Sequence, residues 1–233
     1  MLEAKNLISG YGALPILHGL SLRVDDNEYV GILGHNGMGK TTLMRTLIGH
    51  IKPMSGSISL DGEPITDAGA HKRARMRIGY VPQGREIFPS LTVRENLMMG
   101  ALSGAEKRGG IVEEVLADFP RLERLLDRNG GALSGGEQQL LAIARCLCGR
   151  PRVMLLDEPT EGIQPSIIDE IADLLLAIRK RSNMSIVLVE QNLDFIQALS
   201  DRVLIIHRGN VTRTLTANDL NDPEVVNEFV GMG

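Results

Sequence analysis

Nine consecutive residues, Gly34-His35-Asn36-Gly37-Met38-Gly39-Lys40-Thr41-Thr42, match the spacing G-x-x-x-x-G-K-[ST], and the chemistry this permits is polyphosphate binding. Gly34, Gly37 and Gly39 carry no Cβ to obstruct positive φ, so successive N–H groups can converge on one anion. Lys40 supplies a point charge for β and γ phosphates, and Thr41 a hydroxyl for Mg²⁺. The apolar run Glu28-Tyr29-Val30-Gly31-Ile32-Leu33 before the loop reads as a buried strand. A helix from Thr41 to Gly49 follows, and its positive end points at the same site. The stretch is expected to bind a nucleoside triphosphate.

A second group is acidic. Val153-Met154-Leu155-Leu156-Asp157-Glu158 is an apolar run ending in two carboxylates, as expected of a buried parallel strand delivering acids to the ligand edge of an α/β sheet. Asp157 can hold Mg²⁺ through water, and Glu158 can polarise the water that attacks a γ phosphate. Gln83 ends a short strand, Ile78 to Pro82, where its amide oxygen could reach Mg²⁺ or water; Gln191 follows another, Ser185 to Val189. Tyr11 stands in the turn Ser9-Gly10-Tyr11-Gly12, with stacking on adenine and ordinary turn packing both open. In Leu133-Ser134-Gly135-Gly136-Glu137-Gln138, Ser134 is a good N-cap before an apolar helix. Its hydroxyl and the two glycine N–H groups offer a second anion site, although Ser134 with Glu137 also spells a plain capping box.

The elements around these groups alternate strand, turn and helix in the α/β manner. Leu2 to Ile8 and Ile16 to Val24 alternate as strands; Lys52 to Gly56 breaks the chain before the strand Ser57 to Leu60. The basic run His71 to Arg77 has no interleaved aromatics and reads as a solvated helix face. Phe88 to Leu91 is an exposed-looking apolar segment. Thr92 and Glu95 have capping-box spacing for a helix through Met99, Ile111 to Phe119 is helical, and Asn129-Gly130-Gly131 reads as a mobile loop. Ser166 to Lys180 is a helix, and strands Arg202 to Ile206 and Val211 to Leu215 precede a short helix from Glu224.

With 233 residues and 43% hydrophobic content the chain can bury one full core. A net charge of −4 gives no global attraction to nucleic acid or anionic lipid. The start lacks a signal peptide's apolar core and no later stretch approaches a membrane span, so a soluble protein on the cytoplasmic side is expected, with no room for an added regulatory domain. Cys146 and Cys148 lie two apart on a predicted helix and are expected to be buried reduced thiols.

The phosphate loop, Gln83, Leu133 to Gln138 and the carboxylate strand, in that order, resemble the ATP-binding subunits of ABC transporters, with Leu-Ser-Gly-Gly-Glu as the distinguishing signature. The resemblance implies a phosphate-loop (RecA-like) α/β core with a mixed sheet, an N-terminal antiparallel β region and a helical subdomain. It divides one domain into a core, 1–90 and 150–233, and a helical signature part, about 91–149. It implies an ATPase using ATP and Mg²⁺. Tyr11 looks like its adenine-stacking aromatic; His35, Asn36, Met38 and Thr42 complete the ATP loop; Thr41, Gln83 and Asp157 look like the Mg²⁺ set; and Glu158, with Lys40 and Gln191, looks catalytic. Ser134, Gly135, Gly136 and Glu137 would act on the ATP of an opposite subunit, a second copy or a sister ATPase. Tyr80 to Arg85 with Thr160 to Ser166 resembles the subunits of branched-chain amino acid importers and their urea and short-amide relatives. That implies a peripheral place at the cytoplasmic face of the membrane, permease partners, a solute-binding protein outside, and no nucleic acid. The wider family has His where this chain has Gln191, which cannot become charged. A soluble ABC ATPase of DNA repair or translation would need a second nucleotide domain, a coiled coil or a basic face, and a non-hydrolysing binding module would lack Glu158.

Overall fold

The computed structural model describes residues 1–103, 110–216 and Asp219. The chain begins with a hairpin, β1 (Leu2–Tyr11) and β2 (Leu14–Val24). The turn is tighter than the sequence suggests. Gly10 and Tyr11 remain in register with Pro15 and Leu14, so only Gly12, at φ 59°, and Ala13 reverse the chain. β3 (Tyr29–Leu33) runs into the glycine loop and α1 (Lys40–Ile48), which Gly49 ends in the left-handed conformation at φ 86°. β4 (Ser55–Leu60), β5 (Glu63–Pro64), α2 (Ala70–Arg75) and β6 (Ile78–Val81) follow.

The basic run is not wholly a solvated face. Arg73 is 1% exposed, and its guanidinium donates to the carbonyls of Ile65, Thr66 and Ala68 and to those of Thr46 and Leu47 on the last turn of α1. A cation there satisfies orphan carbonyls and opposes the negative end of the helix dipole. Burial lowers its pKa to about 10, which leaves it charged at neutral pH.

The helix-rich stretch comprises α3 (Val93–Ser103), α4 (Ile111–Leu116), α5 (Pro120–Glu123), a 3-10 turn at Gly130–Ala132 and α6 (Gly135–Cys148). The Thr92 and Glu95 capping box forms as expected. Asn129 to Gly131 is an anchored segment instead of a mobile loop: Asn129 bridges to Thr92, Gly130 N–H donates to Leu91 O at 2.8 Å, and Gly131 N–H to Pro89 O at 2.9 Å. A Cβ on Gly131 would sit 3.1 Å from Pro89 O, so glycine here serves close packing. Cys146 and Cys148 are free, and burial pushes both thiols up to about 12.

β7 (Val153–Asp157), α7 (Pro165–Arg181), β8 (Ser185–Glu190), α8 (Leu193–Leu199), β9 (Arg202–His207) and β10 (Asn210–Thr216) complete the described chain. The helix expected from Glu224 lies outside the described residues. Two sheets form, an antiparallel one in the order β2-β1-β4-β5 and a six-stranded one in the order β10-β9-β3-β8-β7-β6, parallel except for β10. β3, β7 and β8 are buried at every position because the six-stranded sheet is covered on both faces. Side-chain alternation sorts the faces: Ile32, Leu155 and Val189 pack with α1 and the antiparallel sheet, while Leu33, Leu156 and Leu188 pack with the helices from α3 to α8. The carboxyl ends of five parallel strands share one edge, where ligands of open α/β sheets bind.

Candidate active site

Lys40 is the first residue of α1 and is 4% exposed. Its ammonium donates to Gly34 O at 2.6 Å and His35 O at 3.1 Å and pairs with Glu158 Oε1 at 3.1 Å. Gly37 and Gly39 take the positive φ expected of a cradle, 80° and 101°. Gly34 does not; it is required because a Cβ there would lie 2.7 Å from the Ile206 carbonyl. Met38 ties the loop down, its carbonyl accepting from Gly209 N–H at 3.0 Å and its sulfur from Arg208 N–H at 3.3 Å. No side chain caps α1. Thr42 is buried beneath the loop, whereas Asn36 and Gly37 are exposed at its rim.

Across the edge, Thr41 Oγ1 donates to Asp157 Oδ1 at 3.4 Å, and Tyr80 donates its hydroxyl to Asp157 Oδ2 at 3.1 Å. Burial pushes the Asp157 carboxyl up to about 6; the charge of Glu158 adds to this, while the Tyr80 and Thr41 hydrogen bonds and Lys40 oppose it. Thr41 and Asp157 are hard oxygen donors, and a divalent cation between them would offset a buried negative charge, so the donor set fits Mg²⁺. Glu158 leaves β7 at φ 49°, a conformation a non-glycine residue holds only where its surroundings enforce it, here with its N–H on Val189 O at 2.9 Å.

Gln83 directs its amide nitrogen to Glu158 Oε2 at 3.2 Å and to Glu161 Oε2 at 3.0 Å, so it engages these two carboxylates and not Asp157. Gln191 donates to Asn36 Oδ1 at 3.0 Å and to Glu158 Oε1 at 3.1 Å. Its place follows from strand order, since β8 lies between β3 and β7. A cleft of about 300 Å³ is lined by Tyr11, Ile16, Asn36, Gly37, Gly39, Lys40, Thr41, Thr42, Gln83 and Glu158. Tyr11, 48% exposed, stands at this cleft with its hydroxyl 3.4 Å from Arg45 Nη1.

Ser134, Gly135, Gly136 and Glu137 do not line that cleft. Ser134 caps α6 in a full capping box, with Glu137 Oε2 accepting from Ser134 N–H and Oγ at 2.8 Å each. Arg85 lies over Gly135 and donates to Gln138 Oε1 at 3.2 Å. Three polar residues have no site role in the sequence reading: Tyr80 and Arg85, which stand in the segment of the subfamily resemblance, and Glu190. Glu190 is 3% exposed and accepts from the N–H groups of Thr160 at 2.8 Å, Gln191 at 2.9 Å and Asn192 at 3.2 Å, linking the two loops that carry Glu158 and Gln191. A carboxylate closing an apolar strand, as Asp157 does, is the signal that marks it.

Residues 17–161 match the family model described as ABC transporter. The chain belongs to the ABC transporter family. It is 37% identical to the high-affinity branched-chain amino acid transport ATP-binding protein BraG of Pseudomonas aeruginosa, over 99% of this chain and 100% of that one. It is 34% identical to the lipopolysaccharide export system ATP-binding protein LptB of Haemophilus influenzae, over 99% and 97%. A dimeric ATP-binding cassette in a post-hydrolysis state, bound to ADP and Pi, superposes with a TM-score of 0.83 at 25% identity, over 93% of this chain and 99% of that one. As an ABC cassette the chain is an ATP-binding ATPase, and Lys40, Asp157 and Glu158 stand where its fold brings phosphate loop and carboxylate strand to one edge.

Proposed function

We propose that this ABC ATPase powers uptake of branched-chain amino acids, or of urea or short amides, through separate permease subunits, fed by a solute-binding protein. It works as a dimer of two copies or with a sister ATPase, peripheral to the cytoplasmic face of the membrane. The end-to-end relationship to BraG carries this reading, supported by the segments Tyr80 to Arg85 and Thr160 to Ser166. The equally long relationship to LptB supports a second reading, an export ATPase.

In the proposed cycle Tyr11 stacks on adenine and the loop N–H groups from His35 to Thr42 surround the phosphates. Thr41, Asp157 and Gln83 would hold Mg²⁺, which when bound would screen the charge of the β and γ phosphates. Lys40 exchanges its pairing with Glu158 for a phosphate oxygen. That exchange releases the Glu158 carboxylate to take a proton from the attacking water. Gln191, already beside Glu158, offers an uncharged N–H to the γ phosphate. Ser134, Gly135 and Gly136 complete the site of the opposite subunit.

The permease contact falls in a groove of about 520 Å³ between the core, 1–90 and 150–233, and the helical part, about 91–149; Tyr80, Phe88, Met99 and Arg145 are among its lining residues. Phe88 is 41% exposed with the Arg145 guanidinium 5.1 Å from its ring centre, which supports an interface role over a core one. Co-purification with the candidate permease pair and uptake of labelled leucine test the reading; export of a lipid-linked glycan would favour the second. Phe88→Ala is expected to weaken permease assembly roughly 30-fold, equivalent to about 2 kcal/mol, with thermal stability of the free subunit unchanged. Lost stability with unchanged assembly would return Phe88 to the core.

A further inference from the structure

Asp157 is served by two hydroxyls, one on each oxygen. Thr41 meets Oδ1, on the side of the phosphate loop, and Tyr80 meets Oδ2 from β6. The second contact follows from register: Tyr80 pairs with Leu155, and Asp157, two residues on, shares the same face of the sheet. A carboxylate at a strand end has a broad, two-fold terminal torsion and is not oriented by its own rotamer. A donor fixed on one oxygen orients it and leaves the other for a cation. Tyr80 is suited to this, because a phenol carries its proton at neutral pH and so donates to the carboxylate. Its ring is braced edge-on by His50, with centres 6.1 Å apart. From α1 the Arg45 charge acts on the same hydroxyl, and its guanidinium reaches the Tyr11 hydroxyl at the mouth of the cleft at 3.4 Å.

We propose that Tyr80 is a positioning residue for the Mg²⁺ carboxylate, with the Arg45 charge acting on it from α1, so that the β6 hydroxyl sets how Asp157 presents its other oxygen to the metal. The inference rests on the assignment of Thr41 and Asp157 to the metal. Outer partners of metal ligands set carboxylate orientation, and their loss commonly lowers metal affinity about 10-fold or more.

The experiment follows Mn²⁺ by electron paramagnetic resonance while it is titrated into the full-length chain saturated with a non-hydrolysable ATP analogue. Tyr80→Phe is expected to lower apparent Mn²⁺ affinity about 10-fold while leaving analogue binding in chelator within about twofold. Arg45→Gln, at an exposed position, is expected to give a smaller loss in the same direction and serves as the readout should Tyr80→Phe fold poorly. The double variant is expected to be no worse than Tyr80→Phe, because the two act through one contact. Wild-type Mn²⁺ affinity in folded Tyr80→Phe, or in Arg45→Gln where Tyr80→Phe does not fold, overturns the proposal. If the natural chain binds the analogue yet holds Mn²⁺ no better than free analogue does, the metal assignment beneath it fails instead.

Discussion

The glycine-bearing N-termini of α1 and α6 both read from the sequence as anion sites, yet they are built differently. α1 has no side-chain cap, and the loop before it is buried at Gly34, Gly39 and Lys40 and tied to Glu158 and to the turn between β9 and β10. α6 has Ser134 exposed and a capping box in which the Glu137 carboxylate already occupies the first turn. The first gathers its donors and acids, Lys40, Thr41, Asp157 and Glu158, from one chain. In the second the capping box engages the N–H groups of Ser134 and Glu137, and under the proposed function its Gly135 and Gly136 N–H groups meet a nucleotide only when a partner subunit brings one.

The largest expected effect separates these roles. Glu158→Gln keeps the size of the side chain and one acceptor oxygen for Gln83 or Gln191 but removes the proposed base, so turnover should fall about 10²- to 10⁴-fold while Mg·ATP still binds. Size-exclusion chromatography with ATP should then show an accumulated dimer, joined through α6. A variant that stays monomeric would sever the α6 end from the nucleotide cycle.

Buried charge is the next difference. Asp157 ionises near 3.8 when unfolded and about 6 when folded, so the folded state retains a proton that the unfolded state has lost. Stability attributable to this group therefore falls as pH rises from about 4 to 6, by at most about 3 kcal/mol. Asp157→Asn removes that penalty: it should raise the thermal midpoint at pH 7, lose the gain below about pH 4, and abolish Mg²⁺-dependent turnover. An unchanged midpoint at pH 7 would mean that the carboxylate is better solvated than its burial implies.

Glycine substitution sharpens the contrast further. Gly34→Ala drives a Cβ to within 2.7 Å of a backbone carbonyl and should cost about 1–3 kcal/mol, measured by urea unfolding. Gly135→Ala meets only the Arg85 guanidinium, a movable side chain, at 3.2 Å. It should leave the free subunit stable and impair only ATP-dependent dimerisation; equal destabilisation of both would show that α6 is locked as tightly as α1.

The smallest effect concerns Gln191. Gln191→His places a group titrating near 6.5 beside Glu158, so the pH–rate profile should gain a further titration near neutrality beyond that of Asp157. Superimposable pH–rate profiles would count against a γ-phosphate contact.

Local chemistry decided much of this molecule in advance. The loop spacing, the apolar strand ending in Asp157 and Glu158, and the Ser134 to Glu137 capping box each form from residues within a few positions of one another, so their short-range pattern determines them. Other features depend on which strand lies beside which. Only the order β3-β8-β7 sets Gln191 between Asn36 and Glu158, and only the β6–β7 register lays Tyr80 against Asp157. Arg73 looks like its solvated neighbours in a basic run, yet the end of α1 turns it into a buried donor to five carbonyls. Gly34 reads as a conformational glycine and proves to be a steric one, because the atom that excludes its Cβ belongs to Ile206, far along the chain. Sequence periodicity reports the dihedrals and burial of a segment; the identity of a distant neighbour is settled only when the sheet assembles.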